Sequence, residues 1–117
     1  MGISSRAVAA ENDARAKLLA GDAAAAVALL VEADRRCLAA RIDYRCALLE
    51  RALCEAQEKL GHADEKLALA ALQRARASGF QPKDLPAELL HLLGRLASAR
   101  GDEVMANAYH GEWLALP

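Results

Sequence analysis

LLAGDAAAAVALLVEA (residues 18–33), LGHADEKLALAALQRARA (60–77) and LLGRLASARGDEVMANA (92–108) are three versions of one pattern. In each, an apolar run stops at a glycine, an aspartate follows within three residues, and an alanine-rich run resumes. Glycine accepts the left-handed conformation that ends a helix, and aspartate caps the start of the next. Each stretch therefore reads as helix, turn, helix. Gly21, Gly61 and Gly101 are evenly spaced. A fixed period between turns of this kind is the mark of a helical repeat.

Columns appear when the chain is aligned on those glycines. Ala7, Ala47 and Ala87 form a uniform one, and Ala14, Cys54 and Gly94 a small-residue one. Leu53 and Leu93 match, although Asp13 breaks their column. After the turn, Ala26, Leu30 and Ala33 are answered by Ala68, Leu72 and Ala75, slightly late because the second turn is longer. The third repeat has Ala106 but then His110 and Trp113. Small side chains set how closely helices cross. The small column is therefore expected at the contact within each hairpin, where a leucine in place of Gly94 would overpack.

Outward from the turns, six helices are expected. The first runs from Ser5, as N-cap, to Ala20. The second is capped by Asp22 and reaches Ala40. The third covers Asp43 to Leu60. The fourth is capped by Asp64, reaches Ser78 and ends at Gly79. FQPKDLP (80–86) reads as the one real loop, with Pro86 in the first turn of helix five. Asp102 caps helix six. No stretch alternates apolar and polar residues with β-branched enrichment, so no strand is expected. The fold class is all-α: one domain, 1–117, of three antiparallel helix–turn–helix repeats, with hairpins at about 5–40, 43–78 and 86–116.

Composition limits the function. The 117 residues carry a net charge of −1, which gives no global field to draw in nucleic acid or anionic lipid. Of the residues 55% are hydrophobic but only 3% aromatic, with 29 alanines, so the core is thin and built from many modest contacts. Three cysteines are an odd number, which suits a reducing cytosol better than a disulfide framework. MGISSRAVAAENDARAK has no long apolar core, so neither a signal peptide nor a membrane span is expected, and a cytoplasmic location follows.

The turn and second-helix pattern GDAAAAVALLVEA, together with LLGRLASARGDEVMANA, resembles the tetratricopeptide repeat. That pattern puts a small residue in the first helix, Gly at the turn, then Ala, a large apolar residue and Ala on the second helix. The usual aromatic positions are mostly missing and the period exceeds the family's usual one. The longer period, and LERALCEAQEKLGHADEKLALAALQRARASGFQPKDLP (49–86), resemble the helical sensor region of MalT-like LuxR-family bacterial transcription regulators. The resemblance implies a short right-handed solenoid and a non-catalytic protein-interaction or signal-sensing module. The chain has no GxxxxGK[ST] loop and no room for the nucleotide-binding or DNA-binding domains of those regulators. A small-molecule effector domain and a structural or oligomerisation segment are the competing readings.

Chemistry-bearing residues do not converge in the sequence. Cys46 and Cys54 lie eight residues apart on one helix, roughly 12 Å along its axis, too far to share an ion or a disulfide. His62, His91 and His110 fall on separate elements, so no metal, cofactor or catalytic residue is assigned. Glu50, Glu55 and Glu58 with Arg51 and Lys59 read as a solvated, ion-paired face. The basic run Arg35, Arg36, Arg41, Arg45 and Arg51 is interrupted by acids, so direct nucleic-acid binding is not expected.

Two surfaces remain. On the register that the glycines set, first-helix positions form three polar columns: Glu11, Arg51, His91; Arg15, Glu55, Arg95; and Leu18, Glu58, Ser98. In the family resembled, such positions line a concave groove, here suited to a protein or extended peptide of mixed charge. They read equally as the wet side of three amphipathic helices. Met105, Tyr109 and Trp113 recur every four residues on helix six. They either pack inward on helix five or offer a surface to a second copy, giving a homodimer.

Overall fold

The structure is a computed structural model that describes residues 2–78 and 84–117. Those residues form six helices and no strand: α1 (Ile3–Leu19), α2 (Ala23–Ala40), α3 (Asp43–Lys59), α4 (Glu65–Ala77), α5 (Asp84–Ala99) and α6 (Glu103–Leu114). Each helix packs on the next, and α1 also touches α3, giving a slab of 43 × 33 × 20 Å.

The three glycine turns share one geometry. Gly21, Gly61 and Gly101 have φ of +83°, +75° and +84°. The N–H of the next residue reaches back to close the helix end, from Asp22 to the Lys17 carbonyl (2.8 Å), His62 to Gln57 (2.9 Å) and Asp102 to Ala97 (2.9 Å). This is a glycine-terminated helix end in which the left-handed residue lets one more amide satisfy a carbonyl of the last turn. The side chains of Asp22, Asp64 and Asp102 then accept from Ala25, Leu67 and Met105, at 3.1, 3.1 and 3.0 Å. The α2–α3 turn works differently. Its left-handed residue is Arg41, with φ 57° and ψ 41°, and a side chain there carries a steric cost that glycine avoids.

Two boundaries differ from expectation. α1 starts at Ile3 with Gly2 as its N-cap, not Ser5, and no side chain caps it. Ser4 is held instead by α3, its hydroxyl accepting from Arg45 Nε at 3.1 Å. Asp84 and Leu85 belong to α5 rather than to the loop, and Pro86 sits in its first turn as expected. A proline is tolerated there because first-turn N–H groups have no intrahelical partner. Gly79 and residues 80–83 of the expected loop lie outside the described residues.

Burial falls into two clusters. One joins Ala7, Ala14, Ala26, Leu30 and Cys37 to Cys46, Leu49 and Leu53 of α3. The other joins Ala47 and Cys54 of α3 to Leu72, Leu85, Leu89, Leu93 and Tyr109. Leu67 packs against both. The small column does not behave uniformly. Ala14 and Cys54 are buried, whereas a Cβ on Gly94 would meet nothing within 4 Å. Ala14 lies in the cluster that joins α1, α2 and α3, and Cys54 in the one that joins α3 to α4, α5 and α6. Gly94 instead lines a recess between α5 and α6, which leaves room for a methyl group there.

Candidate functional site

The first helix of each pair brings its charges to a shared face. Arg51 of α3 donates to Glu11 of α1 at 3.4 Å and pairs with Glu88 of α5. Arg95 of α5 holds Glu58 of α3 through two bonds of 3.0 and 3.3 Å. Arg15 reaches Glu11 at 3.4 Å. Ser98 donates to Glu103 at 2.8 Å. Seven of the eight candidate groove residues are thus tied into contacts with one another or close by: six through these hydrogen bonds and ion pairs, and His91 through its ring contact with Trp113.

Glu55 stands apart. Among the described residues it makes no ion pair, and it is solvent-accessible. Yet desolvation raises its carboxyl above the ordinary value, with Arg51 opposing the rise.

α5 and α6 enclose a recess of about 310 Å³, lined by Leu90, His91, Gly94, Arg95, Ser98, Ala106, His110 and Trp113. The missing side chain at Gly94 opens it. The Trp113 ring lies 4.6 Å from His91 and 5.5 Å from His110. The helix-six stripe divides here. Tyr109 is buried and its hydroxyl donates to Glu65 of α4 at 3.5 Å. Trp113 is half-buried and Met105 is exposed. The three therefore do not form one exposed surface, and the large apolar groups left open on α6 are Val104, Met105 and Leu114.

The site that sequence reasoning missed is buried. Glu50, expected on a solvated face, is 1% exposed and gripped by Arg74 of α4 at 2.8 and 3.1 Å. Asp34 of α2, 7% exposed, packs beside it with one oxygen lacking a hydrogen-bond partner. Burial, then the neighbouring Glu50 carboxylate, push the Asp34 carboxyl up to about 8. Asp34 therefore holds its proton far more tightly than an ordinary aspartate, beside the Glu50 that Arg74 grips. The available signal is position: Asp34 lies on the face of α2 that also carries Leu30 and Cys37.

The cysteines are packing residues. All three are free and buried. Cys37 donates weakly to the Ile42 carbonyl at 3.6 Å. Burial raises the Cys37 and Cys46 thiols and pushes Cys54 up to about 12, so none is a thiolate nucleophile near neutral pH. Among the described residues no three His, Cys, Asp or Glu side chains gather as a metal-holding group, and no helix is long and apolar enough to cross a membrane. Comparison with known protein families, curated sequences and solved structures finds no match.

Proposed function

We propose that the chain is a non-catalytic protein-interaction module of tetratricopeptide type, three hairpins in a short right-handed solenoid, which holds an extended peptide on the α1/α3/α5 face. The observation that carries this reading is the ion-paired α1/α3/α5 face, on which Glu55 is an exposed carboxylate that makes no ion pair among the described residues, near Arg51, Glu88, Arg15 and Arg95. A partner's cationic side chain would give that open carboxylate a charge-assisted hydrogen bond. The surrounding ion pairs fix the walls and give the face both signs of charge, which favours a mixed-charge peptide over a polyanion. A signal-sensing role within a bacterial transcription regulator is the setting that the sequence resemblance favours.

The test is selection of extended peptides from a random library on the immobilised chain. Enriched peptides should carry both charges and bind more weakly as salt rises. Glu55→Gln breaks no ion pair, so the fold should persist while affinity for those peptides falls. Unchanged affinity in Glu55→Gln would remove the reading. A second reading, a small-molecule effector site, is favoured by the α5/α6 recess alone, where Arg95, two histidines and Trp113 surround a cavity suited to a planar anion.

A further inference from the structure

A second groove lies at the other end of the molecule, larger than the α5/α6 recess. α1 and α2 form a groove of about 540 Å³ with a floor of alanines, among them Ala7, Ala10, Ala25 and Ala28, and with Leu29 beside them. Arg6, Lys17 and Arg36 also line it. Arg36 shares Glu32 with Arg35, but Arg6 and Lys17 make no ion pair among the described residues.

This groove repeats a socket that the chain uses twice inside itself. A shift of one repeat, with the longer second turn allowed for, carries Arg6, Ala10, Ala25 and Glu32 onto Cys46, Glu50, Leu67 and Arg74. Three of them face α2, where Cys46 meets Cys37 and Glu50 and Arg74 surround Asp34, while Leu67 packs against the cluster containing Leu30. A shift of two repeats carries Leu29 and Glu32 onto Tyr109 and Glu112. These hold α4, through Glu65 at 3.5 Å and Arg76 at 3.4 Å. In both internal sockets the occupant is an α-helix that enters with a stripe of small and medium apolar residues, such as Ala68, Ala71, Leu72 and Ala75 of α4.

We infer that the α1/α2 groove is a docking site for an amphipathic α-helix supplied by a partner, with a small-residue apolar stripe and acidic side chains along its flanks. The floor admits only a shallow stripe, and the unpaired Arg6 and Lys17 select the flanking charge. A second copy stacked head to tail would present α6, whose open apolar groups Val104, Met105 and Leu114 are bulkier than the shallow stripe this floor admits. The inference does not depend on peptide binding at the α1/α3/α5 face.

The experiment uses the full chain and three labelled synthetic helices of about 18 residues, long enough to be helical when bound. One has an Ala/Leu stripe flanked by Glu, one the same stripe flanked by Lys, and one the Glu flanks with the stripe replaced by Gln. Fluorescence anisotropy should show the Glu-flanked helix binding at least about ten-fold more tightly than either other. Arg6→Glu with Lys17→Glu should reverse the preference between Glu and Lys flanks. Ala28→Trp, at an exposed floor position, should abolish binding with the circular dichroism spectrum unchanged, whereas Glu55→Gln should leave it intact. Equal binding of the Glu- and Lys-flanked helices, or no binding of either, overturns the proposal. So does light scattering that shows a wild-type dimer lost in Ala28→Trp, since a second copy would then be the occupant.

Discussion

Replacing Asp34 by Asn should stabilise the protein, and the gain should grow with pH. Asp34 is buried beside Glu50, and its carboxyl is raised from an ordinary 3.8 to about 8. Between those values the folded chain holds a proton that the unfolded chain has released. Stability must then fall as pH rises through that window, because the folded state binds the extra proton. Each tenfold difference in proton affinity corresponds to about 1.4 kcal/mol, so an upper bound near ~5–6 kcal/mol follows for pH 8. Water entry and a shift of Arg74 toward the ionised carboxylate recover more than half of it, leaving about 2 kcal/mol. Asn keeps the shape and an N–H to donate to Glu50, but has no charge to bury. At about 4 °C per kcal/mol for a chain of this size, Asp34→Asn should melt about 8 °C higher than the parent at pH 8. Near pH 4 the two should melt together. The assay is a pair of thermal melts by circular dichroism at half-unit steps from pH 4 to 8.5. A gain that is constant across the range, or a variant less stable at every pH, would refute the protonated pair and imply an ionised Asp34 bound to Arg74.

Other perturbations probe the same structure. Arg74→Ala strands Glu50 in the core and should cost about 3–5 kcal/mol in urea denaturation, and a loss under about 1 kcal/mol would place Glu50 in contact with water. Gly94→Ala should gain about 0.5–1 kcal/mol, since its Cβ meets no neighbour and alanine favours the helix; destabilisation would mean that the recess beside it is closed. Arg41→Gly should gain up to about 1 kcal/mol by relieving the left-handed residue, read as a higher urea midpoint at unchanged slope.

The turns are the most legible part of the sequence. A glycine and a following aspartate specify a left-handed helix end and a side-chain cap, both local devices, and the structure shows them at all three places. The α1 start is not legible in the same way, because Ser5 has the right chemistry for a cap while the helix simply continues to Gly2. Pro86 suits a loop as well as a first turn, and only tertiary packing of Leu85 and Leu89 decides how far α5 extends. The polar columns of α1, α3 and α5 are visible as a period, but their mutual pairing depends on distances between helices that no single helix encodes. Glu50 escapes sequence reasoning for the same reason. Its neighbours Arg51 and Glu55 are polar, and its burial comes from Asp34 on α2 and Arg74 on α4.

α3 contributes to both hydrophobic clusters, with eight buried residues along its length. Opening α1 and α2 exposes one cluster and opening α6 frays the other, but an amide in the middle of α3 is released only when both come apart. Amide hydrogen exchange should therefore be graded by position, with α6, where Tyr109 is the one buried residue, exchanging through shallow local fluctuations. The central α3 amides should exchange at the rate set by unfolding of the whole chain. The protein is then a short cooperative lattice in which α3 is the coupling element, and the two end surfaces can loosen to admit a partner without putting the middle at risk.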